Sequence, residues 1–338
     1  MKHFKITLLF ILFIFSTPYV NAHTPLMPEG ENNSIESAIE ILNPTKSWTL
    51  YRELHEAEEV EYYKLHLKTG DKLKFSIFTP RIADPNFLPS AVVMWPGSDM
   101  NEDLPDFIEI PTGYGTKLVK GMRIAYPEYE PVTPTSYYFV ANYVENILKE
   151  GDYYFAVFEP TSGGKYGLAI GYIEVFTAFE WLKIPFDLVG IHIWEGQSLF
   201  TILAPLLLTL IIGFTLLKWR KQPMRLVTSV GLMAGLLYVG SGLITLFQMV
   251  IALNGATMIE SYPLTLLFVL VPILLGILLT RKVVRYNRGW STQDRASILI
   301  IGVLGLFFWA GLIIGPMIAM IIALSPPWEH VRQIISSH

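Results

Sequence analysis

The placement of long apolar runs constrains this chain more than any other feature: one short run sits at the N-terminus, and four of membrane length are crowded after residue 197. An α-helix needs about 20 apolar residues to cross about 30 Å of hydrocarbon. The four runs read as transmembrane helices at 198–217, 226–253, 263–280 and 296–324. None contains Asp, Glu, Lys, Arg or His, whereas ion and substrate pathways place ionisable groups inside the bundle, so transport is disfavoured. The polar groups are Gln248, Ser229, Ser241, Thr245, Tyr238 and Trp309, with Pro205, Pro272 and Pro316 as candidate kinks. The stretch Gly231, Ala234, Gly235, Gly240 and Gly242 predicts close helix approach, a packing signature.

The loops set the orientation. Lys218, Arg220, Lys221 and Arg225 follow the first run, and Arg281, Lys282, Arg285, Arg288 and Arg295 lie between the third and fourth. Such clusters stay cytoplasmic. The 254–262 loop and the tail 325–338 are therefore expected outside, on the side of the N-terminal domain. The N-terminal run 8–15 follows Lys2 and Lys5 and leads to Val20-Asn21-Ala22, so residues 1–22 read as a cleaved export signal and the mature chain as beginning at His23. The expected location is the cell membrane, multi-pass.

Absence of cysteine excludes disulfides and thiolate metal sites, so the region 23–175 must be held by its own core. Over residues 23–197 there are 26 Asp and Glu against 13 Lys and Arg. This acidic field disfavours nucleic acid and favours cations or basic partners. The segment 176–197 is rich in aromatic and aliphatic residues with scattered charges and reads as an interfacial linker. Trp181 and Trp194 are expected at headgroup depth, and Pro185 is expected to divide the segment in two.

Alternation predicts strands. In 61–68, Tyr63, Leu65 and Leu67 share one face and Lys64, His66 and Lys68 the other; in 71–78, Leu73, Phe75 and Ile77 oppose Lys72, Lys74 and Ser76, with Thr69-Gly70-Asp71 as the turn. Further strands are expected at 47–51, 91–95, 122–126, 137–142, 152–158 and 166–175, and a helix at 34–42. Many short strands between Gly/Pro-rich turns imply an all-β extracytoplasmic sandwich or jelly roll, followed by a four-helix transmembrane bundle.

Three segments carry a resemblance: Asn33 with Ser34-Ile35-Glu36-Ser37-Ala38; Val60-Glu61-Tyr62-Tyr63-Lys64-Leu65-His66-Leu67 running into Gly70-Asp71; and Gly151-Asp152-Tyr153-Tyr154 followed by Gly164-Lys165-Tyr166-Gly167-Leu168. In this order they resemble the bacterial pre-peptidase C-terminal domain family over about residues 30–173. The resemblance implies a β-sandwich with an aromatic strand entering a Gly-Asp turn and a late Gly-x-Tyr-Tyr strand followed by a hairpin. It implies an accessory role in binding or targeting and no catalytic residue. The longer middle, 79–136, and the membrane runs depart from that pattern.

Candidate sites are sparse. Asp99, Asn101, Asp103 and Asp106 offer hard oxygen donors suited to calcium, although Leu104 and Ile110 stand where an EF-hand loop needs glycine and a bidentate acid. Cleavage after Ala22 would free an amine beside the His23 imidazole, half of a copper-chelating brace that His55 or His66 would have to complete. Trp48, Trp95, Tyr114, Tyr126 and Tyr129 could stack on glycans. Asn32-Asn33-Ser34 forms a glycosylation sequon, and Glu58, Glu59 and Glu61 read as a solvated charge run. No nucleophile elbow or paired acid site appears. The resulting expectation is a non-catalytic binding or assembly module facing a protein or envelope component, lipid-embedded and open to homo-oligomerisation, with a copper-handling subunit as the rival and a glycan- or calcium-binding surface as a further alternative.

Overall fold

The structure is a computed structural model describing residues 23–28, 30–98, 102–219, 226–257, 262–285 and 290–325. The expected signal 1–22 and the tail beyond Ser325 lie outside the described residues. The chain divides into two compact units, a β-rich one and a helical one.

Among the described residues of the β unit, eleven strands form two mixed sheets. They are β1 (Thr24–Leu26), β2 (Ile39–Glu40), β3 (Trp48–Leu54), β4 (Val60–Leu67), β5 (Lys72–Pro80), β6 (Ser90–Pro96), β7 (Tyr114–Val119), β8 (Glu128–Glu130), β9 (Thr135–Asn146), β10 (Gly151–Phe158) and β11 (Gly164–Ile170). One sheet runs β1-β3-β11-β5-β9-β8 and the other β2-β4-β10-β6-β7. The β1–β3 and β2–β4 pairs are parallel and the rest antiparallel. Residues of both sheets meet in one core, as alternation in β4 and β5 predicts: Tyr63, Leu65, Leu67, Leu73, Phe75 and Ile77 are buried together with Leu50, Val93, Phe155 and Leu168. Tyr63 and Phe75 each stack on Phe155, with ring centroids 5.0 and 5.3 Å apart, joining the two layers.

Several local expectations are corrected. Segment 122–126 forms no strand. The expected helix 34–42 is a turn followed by β2, because the Ser34 and Ser37 hydroxyls bond locally and offer the backbone an alternative to helical pairing. The turn at Gly70 is present, with Asp71 N–H donating to Lys68 O at 3.0 Å and Gly70 at φ +94°. It is not a hairpin turn, since β4 and β5 belong to different sheets. The same holds for β10 and β11: the late hairpin implied by the family resemblance is an arch between sheets, fixed where Glu159 accepts from the Thr161 and Ser162 amides.

Glu61 is the largest correction. It lies on the same β4 face as Tyr63 and is buried, while Arg52 shares the inner face of β3 with Leu50 and Leu54. The Arg52 Nε donates to both Glu61 oxygens at 3.0 Å and its Nη2 to Oε1 at 2.6 Å. Tyr63 and Tyr166 hydroxyls donate to Oε2, and Asn32 Oδ1 accepts from Arg52 at 2.8 Å. The sequon asparagine is thus 2% exposed and bonded into the core, closed to glycosylation in the folded domain.

The helical unit holds α2 (Leu199–Trp219), α3 (Leu226–Leu253), α4 (Tyr262–Val284), α5 (Thr292–Phe307) and α6 (Ile314–Leu324). The first three are long and apolar enough to cross a membrane, consistent with a multi-pass membrane protein. The small-residue stretch does pack helices closely: a Cβ on Gly235 would lie 2.2 Å from Thr280 Oγ1, and one on Gly276 would lie 2.6 Å from Gly235 O. The expected fourth straight helix over 296–324 is not one helix, because α5 and α6 are bent by 118°. Left-handed backbone at Trp309, Gly311 and Leu312 stops α5 and redirects the chain. Before these helices comes α1 (Ala178–Trp194), which runs through Pro185 unbroken although that residue lacks the N–H an interior helical position donates.

Arg52→Met is expected to lose about 3–5 kcal/mol by stranding a buried carboxylate, whereas Arg52→Met with Glu61→Leu recovers most of that loss. Denaturant unfolding of the full chain in detergent, followed for the β unit by near-ultraviolet circular dichroism, checks both.

Candidate functional site

A row of aromatic side chains crosses the outer face of the six-stranded sheet. Tyr51 on β3, Phe78 on β5 and Tyr137 on β9 alternate away from the inner residues of their strands and are still buried, at 8, 2 and 2% exposure. Between β3 and β5 runs β11, where Gly167 pairs with both Tyr51 and Phe78. A Cβ at Gly167 would collide with the end of the Phe78 ring, so the lack of a side chain there makes room for the ring over the strand. Phe78 and Tyr137 centroids are 4.4 Å apart.

Trp194, the last residue of α1, seats in this row. Its ring meets Tyr51 edge-on at 5.0 Å, and Phe78 and Tyr137 edge-on at 6.3 Å each. Its indole N–H donates to Arg52 O at 3.0 Å. Edge-to-face rings at these separations contribute about 0.5–1.5 kcal/mol per pair beyond the area they bury.

The first turn of α1 is held as firmly. Thr177 Oγ1 accepts from Glu180 N–H at 3.2 Å while Glu180 Oε2 accepts from Thr177 N–H at 2.7 Å, a reciprocal cap. Glu180 also takes Lys46 Nζ at 2.5 Å, and Lys46 lies 4.1 Å from the Trp48 ring. Burial disfavours the charged Glu180, but the Lys46 and Thr177 donors outweigh it and hold the carboxyl below its ordinary range. Trp181, the other expected interface residue, packs edge-on against Phe176 at 6.0 Å.

The remaining sequence candidates are scattered. His23 is half-buried, shares a hydrogen bond with Ser47 through Nδ1, and is drawn down to about 4 by burial and by Lys74. It stays neutral at physiological pH, beside a lysine that opposes a bound cation. His55 sits in the β3–β4 turn against Glu59. His66 is exposed on β4, held toward its charged form by Asp152 at 2.9 Å. These three histidines are not brought together, and among the described residues no group of three or more His, Cys, Asp or Glu is arranged to hold a metal. Asp99 and Asn101 of the calcium candidate lie outside the described residues; Asp103 and Asp106 are described and fall in the segment between β6 and β7. Of the glycan-stacking aromatics, Tyr126 is 65% exposed, Tyr129 is buried, and Tyr114 meets Tyr154 edge-on at 5.7 Å. In the helical unit, an apolar groove of about 750 Å³ between α2 and α3 is lined by Leu208, Ile212, Leu216, Leu236, Phe247 and Val250 and offers almost no polar group to orient a ligand.

At the far edge of the six-stranded sheet, β8 pairs with residue 257, whose N–H donates to Pro127 O at 3.1 Å. Glu130 on this strand is pushed up to about 8, chiefly by burial and further by Glu174, against the Val132 N–H that favours its charge.

The chain matches no protein-family model, and no curated protein matches its sequence.

Gly167→Ala is expected to cost about 1–3 kcal/mol by forcing Phe78 out of the row. Thermal unfolding should show a lowered midpoint for the β unit, and limited proteolysis should show faster cleavage within 176–197. The Glu130 carboxyl keeps its proton to higher pH folded than unfolded, so its contribution to stability falls as pH climbs from 4.5 toward 8. Glu130→Gln should flatten that part of the stability profile, measured on the full chain across the same range.

Proposed function

We propose that this protein is a non-catalytic, membrane-anchored module whose β-sandwich domain is exported and recognises a protein or envelope component outside the membrane. The observation that carries the reading is the double grip of the β unit on α1, through Glu180 at one end and Trp194 at the other. A domain that only needed tethering could end in a loose linker. Here the outer face of a sheet, a surface that free domains leave to water, is built around the segment that leads to the membrane helices.

The acidic balance of residues 23–197, 26 against 13, favours a partner with basic or cationic surface and repels anionic lipid. Pairing of Thr257 with Pro127 supports placing the 254–262 loop on the side of the β domain, as the basic clusters around the other loops also require. The likeness to pre-peptidase C-terminal domains agrees with an accessory binding role.

In-cell crosslinking of the full chain in its native membrane, followed by detergent purification and mass spectrometry, is expected to yield a defined complex, either of the chain with itself or with one envelope component. Recovery of an uncrosslinked monomer alone would remove the support for this reading.

A further inference from the structure

α5 has 16 residues and α6 has 11, so at 1.5 Å per residue they reach about 24 and 17 Å, each short of the hydrocarbon thickness of about 30 Å. They do not add up to one span, because the chain doubles back between them. At the open end, Arg295 near the start of α5 donates through Nη1 to Ala323 O at 3.2 Å and to Ser325 O, closing the last turn of α6. In the middle, a Cβ on Gly302 would lie 2.6 Å from Met320; nearer the tip, one on Gly305 would lie 2.9 Å from Pro316. The two helices therefore pack against each other from Arg295 to the tip, with the chain turned by 118° between them.

The tip is irregular backbone, and it is buried in protein. Gly311 N–H donates to Ser241 Oγ at 2.7 Å, Ser241 Oγ donates to Tyr238 O at 2.9 Å, and Tyr238 Oη donates to Ile301 O at 3.2 Å. Trp309 stacks on Phe268 of α4 with centroids 4.6 Å apart. Ser241 lies near the middle of α3, so the tip stops at mid-membrane depth. Non-helical backbone is tolerated there only when protein groups satisfy it.

We infer that α5 and α6 form a re-entrant hairpin that enters and leaves by the same face of the membrane, so the chain crosses three times and Ser325 lies with Arg281, Lys282 and Arg295, opposite the β domain. The inference rests on the export reading only for the naming of sides; the relation between the two hairpin ends does not depend on it. This differs from the sequence expectation of four crossings with the tail outside.

The chain has no cysteine, so a single substitution gives a single thiol. Thr112→Cys, Gln293→Cys and Ser325→Cys, all at exposed positions, would be labelled in the full chain with a membrane-impermeant maleimide, in sealed right-side-out membranes and again after permeabilisation. The expected result is immediate labelling at 112, and labelling at 293 and 325 only after permeabilisation. Labelling of 325 together with 112 in sealed membranes, with 293 protected, would overturn the hairpin and restore a fourth crossing. Protection of 112 with 293 and 325 labelled alike would sink the export reading and leave the hairpin standing. As a second measurement, a reporter fused after His338 that fluoresces only when folded in the cytoplasm should be bright. A dark fusion of full length, in a protein whose residue 112 labels in sealed membranes, would overturn the inference.

Discussion

One buried carboxylate organises the β unit. Glu61 belongs to the five-stranded sheet, yet its charge is met by Arg52 and Tyr166 of the six-stranded sheet and by Tyr63 of its own strand. Removing a carboxylate from water costs several kcal/mol unless opposite charge and donors converge on it, so the two sheets have to meet in the register that brings these groups together. An apolar core alone tolerates sliding. The ionic cluster does not, and it recruits Asn32 from the chain before β2 to complete the guanidinium shell.

Arg52 also carries this constraint outward. Its side chain faces the core, while its carbonyl oxygen accepts from the Trp194 indole on the other side of the same sheet. The position of α1 is thereby tied to the residue that aligns the two layers. A partner that shifts the packing of β3, β11 or β5 would alter the rings around Trp194, since Tyr51, Gly167 and Phe78 are adjacent in that sheet.

The alternating residues of β4 and β5 were legible because over 63–68 and 72–77 apolar inner residues alternate with polar outer ones. Glu61 was misread because Glu58 and Glu59 precede it and make a charge run; its register with Tyr63, two residues on, was the signal that placed it inside. The aromatic row was hidden for a related reason. Phe78 follows Ile77 and breaks the alternation of β5, a mark that the outer face is covered, but nothing local says by what. The covering residue is Trp194, far along the chain, and its amphipathic surroundings suited a lipid interface equally well. In 296–324 hydropathy reads as one run; Pro316 stood out as a candidate kink, but the reversal at Trp309, Gly311 and Leu312 shows only in the backbone angles.

The hairpin tip has a consequence for how the protein is made. Its backbone groups lean on Ser241 and Tyr238, and its indole on Phe268, so in bare lipid the tip would carry unmet polar groups that cost several kcal/mol each. A segment of this kind has no stable resting place until α3 and α4 are already side by side. If α5 and α6 form the re-entrant hairpin, membrane assembly of this chain is ordered: α3 and α4 form the receptacle first, and the last apolar segment enters it afterwards.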